Sequence, residues 1–310
     1  PAFFLKDPLI MDPEPQQHIT VNQCIEQIAQ NLAAANLHYG HGAIDAQSEA
    51  LWIVSKQLDL SPAEALDHLE DSISEDLQQK ASAIADTRIS TRKPLAYILG
   101  EAWLMGVPFF CSEQSIVPRS WIAELIVDGM LEPWLPADGK VLDLCTGNGS
   151  LAVLCAMTYP EVSVVAADIS TDALEVARIN IEKHQLSDRI RCIQSDGLNA
   201  VSDTFDCIIC NPPYVCEASM QALPQEYLAE PQLALAGGTD GMDFIRQLLL
   251  DLPSRMNERA ILVLEIGNER EHFEAAFPHL EAVWLETSAG EDQVLLITKE
   301  ALMASQAAGH

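Results

Sequence analysis

From about residue 121 to residue 298, short apolar runs alternate with amphipathic stretches, and few folds accommodate that alternation. The apolar runs fall at 141–144, 162–167, 191–194, 207–210, 261–265 and 294–298. Each has the length of a strand. The stretches between them, such as 172–184, repeat apolar residues at helical spacing. Strands that alternate with helices build a parallel sheet covered on both faces, because each right-handed crossover returns the chain to the same sheet. The predicted class is α/β, with this domain spanning residues 118–310.

The first third of the chain lacks such runs. Val21, Cys24, Ile25, Ile28 and Leu32 follow helical spacing, and a second helix is predicted over 46–58. Ser61-Pro62-Ala63-Glu64 reads as a helix start, with a capping serine, a proline in the first turn and a glutamate three residues after the cap. Ser72-Ile73-Ser74-Glu75 offers the same box ahead of a helix reaching Thr91. Residues 18–91 are therefore expected to form a small helical domain. In 92–117, Trp103, Leu104, Val107, Phe109 and Phe110 flank Met105-Gly106, the pattern of a β-hairpin linking the two domains. Residues 1–17 read as a loose arm without the apolar core of a signal peptide. With no run of about 18 apolar residues, the expected location is the cytoplasm.

The charge restricts the partners. Lys and Arg number 17 against 46 Asp and Glu, a net charge of −29 over 310 residues. Tight binding to a phosphate backbone rests on clustered Lys and Arg, so direct nucleic-acid contact is disfavoured. The acidity suits either solubility or attraction to a basic partner. Most of the eight cysteines are embedded in apolar runs and read as small buried hydrophobes. Cys207 and Cys210 form a CxxC inside a predicted strand. Residues i and i+3 of a strand face opposite ways, so these thiols are not expected to share a metal.

Three motifs carry chemistry. Val141-Leu142-Asp143-Leu144-Cys145-Thr146-Gly147-Asn148-Gly149 places a glycine-rich turn between the first strand of the α/β domain and a helix beginning near Ser150. Glycines there let backbone approach a ligand closely, and ligands of such sheets bind beyond the carboxyl ends of the strands. Asp168 ends the next strand, 19 residues after Gly149, where an acid can accept both hydroxyls of a ribose. The loop lacks the GxGxxG spacing of dinucleotide enzymes and the GK[ST] of a P-loop, and Asp143 lies at its start. S-adenosylmethionine, a cation without phosphate, suits such an acidic loop.

Asn211-Pro212-Pro213-Tyr214 directly follows the fourth strand, at the same sheet edge. Proline fixes φ and lacks an N–H, so this loop is stiff and its carbonyls are not committed to a ladder. An amide NH2 offers two donors, and the Asn211 side-chain oxygen and the Pro212 carbonyl can accept one each. Tyr214 can stack on the flat amide. Asp196, after the third strand, reads either as an adenine-edge contact or as a turn residue, and Glu265, ending the fifth, is equally ambiguous. His38-Tyr39-Gly40-His41-Gly42 reads as a turn at a helix end.

DLCTGNG, Asp168 and NPPY together resemble the class I methyltransferases that modify glutamine amides in translation proteins. One branch acts on peptide-chain release factors, the other on the third protein of the large ribosomal subunit. The chain resembles the second branch nearly end to end, through HYGHG at 38–42, GEAWLMGVPFF at 100–110, IVPRSWIAELI at 116–126, NPPYV at 211–215 and EYLAEPQLALAGGTDG at 226–241. The release-factor branch has a PRxDTE-type sequence where this chain has Pro118-Arg119-Ser120-Trp121-Ile122-Ala123-Glu124. The resemblance implies a helical substrate-recognition domain, a hairpin linker and a seven-stranded Rossmann-like sheet with its last strand antiparallel. It implies a cofactor site formed by Asp143, Cys145, Thr146, Gly147, Asn148, Gly149, Asp168, Asp196 and Asn211. It implies a glutamine held by Asn211, Pro212, Pro213 and Tyr214. No metal is expected, and the ribosomal protein, basic because it must bind RNA, is expected to be modified before assembly, when RNA does not yet compete for its surface. Cys145 stands where many relatives carry glycine. The alternatives are the same reaction on a release factor, adenine N6 methylation, which needs a flipped base and a basic channel, and a binding module that kept only the fold.

Overall fold

The structure is a computed structural model that describes residues 19–308. The arm expected over 1–17 lies outside the described residues. The chain forms two compact units. Among the described residues, one comprises those through Asn36 with Asp45–Ile89, and the other comprises Leu37–Ile44 and those from Ser90.

The first unit is helical. Helix Val21–Ala34 opens on a capping box, in which the Thr20 hydroxyl accepts from the Gln23 N–H and the Gln23 side chain returns the bond. It buries Val21, Cys24, Ile25, Ile28 and Leu32, the residues that the spacing marked. Ser61 and Glu64 form a second box, with Pro62 in the first turn. The third box falls elsewhere. Helix Glu75–Thr91 is opened by Ser74, whose hydroxyl accepts from the Leu77 N–H, while Ser72 is drawn into a β-bridge with Thr20. Arg88 is fully buried against Glu49, with the closest N–O approach at 3.1 Å. Breaking a buried pair of this kind costs about 3–5 kcal/mol.

The second unit begins its β structure with a hairpin, β1 (Glu101–Leu104) and β2 (Val107–Phe110), paired antiparallel and closed by Leu104 opposite Val107. Its two-residue turn, Met105-Gly106, has positive φ at both positions, which matches the twist of the flanking strands. The main sheet contains β3 (Lys140–Leu144), β4 (Ser163–Asp168), β5 (Ile190–Gln194), β6 (Phe205–Cys210), β7 (Met256–Glu265), β8 (Val283–Thr287) and β9 (Gly290–Thr298). Their order is β5-β4-β3-β6-β7-β9-β8, and β9 runs antiparallel to both of its neighbours. Apolar spacing alone marks six of these strands. The seventh, β8, is an edge strand with no buried residue, and its apolar run is only Val283-Trp284-Leu285 ahead of Glu286.

The strands bury both faces. Val141, Val164, Cys207, Ile209, Ile261 and Val263 pack on one side with helices Ile122–Val127 and Ser150–Thr158. Leu142, Val165, Ile208, Cys210, Leu262 and Leu264 pack on the other with helix Asp243–Asp251. Cys207 and Cys210 thus face opposite cores, as the strand period requires. All eight cysteines are free thiols.

Candidate functional site

Because β3, β4, β5, β6 and β7 run parallel, their carboxyl ends meet at one edge. The register aligns Leu144 with Ala167 and Cys210, Asp168 with Gln194, and Cys210 with Leu264. A cavity of about 210 Å³ opens there. Its wall includes Leu144, Cys145 and Gly147 after β3, Asp168 after β4, Asp196 after β5, and Asn211 and Pro213 after β6.

The glycine-rich loop is shaped from below. Asp143 is fully buried, and its Oδ2 accepts from the Thr146 hydroxyl at 2.5 Å and the Ala152 N–H at 3.0 Å. Burial pushes its carboxyl up to about 7, against the pull of those two donors. Asp143, Thr146, Asn148 and Gly149 do not line the cavity, because their side chains or backbone turn inward to hold the loop. Asn148 accepts from the Ser150 N–H at 3.1 Å. Gly149, at φ +79°, lets the loop lie on helix Thr171–Lys183; a Cβ there would sit 3.1 Å from that of Ala177. Cys145 reaches the cavity and adopts φ +61°, a left-handed conformation that favours glycine.

Asp168 binds two backbone donors, Gly147 N–H on Oδ2 and Ser170 N–H on Oδ1, each at 2.9 Å. Each oxygen keeps a further acceptor site for a hydroxyl. Burial raises its carboxyl above the usual carboxylate range. Asp196 lies exposed at the rim. Several other wall residues, among them Ser115, Leu233 and Phe244, carry no signal in the sequence. Nor did it mark Asn180, which is fully buried. Asn180 accepts from the Phe110 N–H at 2.7 Å and donates to the Phe110 carbonyl at 3.1 Å and the Asn148 carbonyl at 2.9 Å. One side chain thus ties the hairpin to the glycine loop.

The proline loop contributes Asn211 and Pro213 to the cavity wall. Pro212 is buried and Tyr214 half-buried, and neither lines the cavity. Tyr214 turns toward the end of β7, where its hydroxyl lies 3.4 Å from Glu265 Oε1. Beside it, Arg119 makes a two-pronged ion pair with buried Glu230, at 2.5 and 2.8 Å. That pairing holds Glu230 down at about 2 although burial alone would raise it. His41 closes the group, 3.5 Å from Glu230 and tilted against Tyr227 with ring centroids 4.3 Å apart. The HYGHG turn therefore packs into this unit, a role with no signal in its local sequence.

The wall fits the nucleoside cofactor expected. A Cβ on Gly147 would meet nothing within 4 Å, leaving room for a ligand over the loop. The Ser115 hydroxyl is buried without a hydrogen-bond partner at the same wall, available to a ligand. Gly147, Asp168, Ser115, Asp196 and Asn211 all line this wall and could hold S-adenosylmethionine. Away from this wall, Cys216, Glu269 and His272 place ligand-type atoms within 4.8 Å of one another, with His272 Nδ1 already 2.5 Å from Glu269.

Comparison with known proteins agrees with this arrangement. Residues 123–258 match the methyltransferase small domain, and residues 23–100 match the PrmC N-terminal domain. A ribosomal protein uL3 glutamine methyltransferase of Bordetella pertussis is 45% identical over 291 residues, covering 93% of this chain and 97% of that protein. Its namesake in Neisseria gonorrhoeae is 40% identical, covering 94% and 98%. The one from Burkholderia pseudomallei is also 40% identical, covering 95% and 99%. With a glycine loop, an acid and a proline loop converging at one sheet edge, and relatives alike along nearly their whole length, the chain belongs to the family of ribosomal protein uL3 glutamine methyltransferases.

Proposed function

We propose that this chain transfers the methyl group of S-adenosylmethionine to the side-chain amide nitrogen of a glutamine in ribosomal protein uL3. One observation carries the reading. Asn211 and Pro213 of the Asn-Pro-Pro-Tyr loop share a cavity wall with Gly147 and Asp168, so the amide-accepting loop borders the nucleoside site. S-adenosylmethionine supplies an electrophilic methyl group.

An amide nitrogen is a weak nucleophile because its lone pair is delocalised into the carbonyl. Asn211 Oδ1 and the Pro212 carbonyl accept its two N–H bonds, which orients the NH2 and pushes density back onto nitrogen. The N–CH3 bond forms as the S–CH3 bond breaks, and the nitrogen then carries a proton it holds weakly. No side chain of the loop is a good general base, so that proton leaves to water after transfer.

The charge of −29 supports a basic protein acceptor and disfavours a nucleic acid. No helix among the described residues is long and apolar enough to cross a membrane. We place the reaction in the cytoplasm, on free uL3, because RNA would cover a basic ribosomal protein after assembly. The test is labelled methyl transfer to purified uL3, intact ribosomes and release factor. Label is expected in free uL3, falling as salt is raised, and Asn211→Ala should lower turnover by at least about a hundredfold. Label mainly in release factor would reverse the substrate assignment. Equal labelling of intact ribosomes would remove the order of events.

A further inference from the structure

Glu265 is a buried acid that the reading above leaves without a task. It ends β7, and β7 pairs with β6 so that Cys210 lies opposite Leu264. The next residues along these two strands are Asn211 and Glu265, so the carboxylate stands beside the start of the proline loop. Its Oε2 accepts from the Ser120 hydroxyl at 2.5 Å and the Trp121 N–H at 2.9 Å. Its Oε1 is turned to the Tyr214 hydroxyl. The nearest guanidinium, Arg119, gives both prongs to Glu230. Burial accordingly pushes the Glu265 carboxyl up to about 7. An apolar side chain would serve the fold at lower cost, so a buried acid kept without a direct cation points to function.

A second contact bears on the same ring. A Cβ on Gly267, two residues after Glu265, would lie 2.6 Å from Tyr214 Cε2 and 3.0 Å from Cζ. The backbone of the same strand end therefore presses on the ring whose hydroxyl faces its carboxylate. The loop is confined on other sides too, since a Cβ on Gly241 would meet the Tyr214 carbonyl at 2.2 Å and one on Gly237 the Pro213 carbonyl at 2.8 Å.

We propose that Glu265 is the positioning residue for Tyr214, fixing the phenol from one end while Ser120 and Trp121 hold the carboxylate from the other. This rests on the glutamine-methylation reading. The ring is joined to Pro213 through one peptide, so a fixed ring holds the acceptors at Asn211 and Pro212 in place. Reaction rate is steep in such placement, where an error of about 1 Å can cost about a hundredfold. At 3.4 Å the phenol bond is long, and hydrogen bonds of this kind tighten when substrate binds.

The experiment compares wild type, Glu265→Gln, Glu265→Ala, Tyr214→Phe and the Glu265→Ala/Tyr214→Phe pair on uL3 at saturating cofactor. Tyr214→Phe and Glu265→Ala should each lower kcat by about tenfold or more, with cofactor affinity by calorimetry unchanged within about twofold. Glu265→Gln, which keeps an acceptor, should recover part of the loss. The double variant should be no slower than the slower single one, because both remove one interaction. Independent, multiplying effects, or a near-normal kcat in Glu265→Ala, would overturn the proposal. A ring-fluorinated tyrosine at position 214 gives a readout without substrate: one fixed fluorine environment in wild type and an averaged one in Glu265→Ala. An unchanged fluorine signal overturns the positioning role whether or not uL3 is the acceptor. Absence of methyl transfer by wild type counts against the glutamine reading alone.

Discussion

Asp168 holds the glycine loop and faces the cavity with the same carboxylate, so its removal has two effects. Asp168→Ala deletes the acceptor for the ribose and frees the Gly147 and Ser170 N–H groups. A hydrogen bond to a charged group contributes about 1.5–3 kcal/mol, so S-adenosylmethionine affinity should fall about ten- to a hundredfold. Asp168→Asn, which keeps one oxygen, should lose less, and calorimetry on both folded variants separates the two effects. Unchanged affinity in Asp168→Ala would end the assignment. At this scale the sequence was legible where one residue type has few substitutes. Gly149 is needed for its φ and for Ala177, and prolines stiffen the acceptor loop. It was illegible where a role depends on distant partners. Asp143 reads as a ligand contact from its position beside the loop, yet its bonds run inward to Thr146 and Ala152. Glu230 and His41 are 189 residues apart in the chain, and nothing local to either announces the contact.

Elements are joined to the site by few side chains, and Asn180 is the clearest of them. It lies on helix Thr171–Lys183 and serves both β2 and the glycine loop. Asn180→Ala would leave the Phe110 N–H and the Phe110 and Asn148 carbonyls without that partner. A buried group left unsatisfied costs about 1–3 kcal/mol, so the variant should lose about 2–4 kcal/mol of stability. Urea titration should show this as a lower midpoint with an unchanged slope. Loss below about 0.5 kcal/mol would mean that the hairpin is held by other contacts. The elements themselves were readable because their periods are strong. The central strands bury two faces and so form apolar runs, and Met105-Gly106 marks the hairpin turn. The edge strand β8 escaped notice because its apolar run, Val283-Trp284-Leu285, is short and runs straight into Glu286.

Across the whole molecule, buried acids set how stability responds to pH. Asp143 and Glu265 both rise to about 7, from ordinary values of 3.8 and 4.5. A raised carboxyl contributes stability that is fully present below its unfolded value and is lost as pH climbs through the folded one. Glu230 works in the opposite sense, since Arg119 holds it at about 2 and its contribution fades only as pH falls toward that value. Stability should therefore peak on the acid side of neutrality. The growing negative charge of an acidic chain adds to the decline above it. The unfolding midpoint at about pH 5.5 should exceed that at about pH 8 by at least about 2 °C at constant ionic strength. A midpoint that rises over this range would contradict the buried-acid account.

The placement of β9 has a consequence for how the protein is made. It lies between β7 and β8 and pairs with both, yet it is the last of the seven strands to be synthesised. Until it arrives, β7 is a bare edge offering Ile261, Leu262, Val263 and Leu264 to any passing strand. Chain elongation thus passes through a stage at which the acceptor loop and glycine loop already exist beside an open, sticky margin. A nascent protein halted there would favour aggregation over activity, and the strand that carries Glu265 is secured only when the final hairpin closes over it.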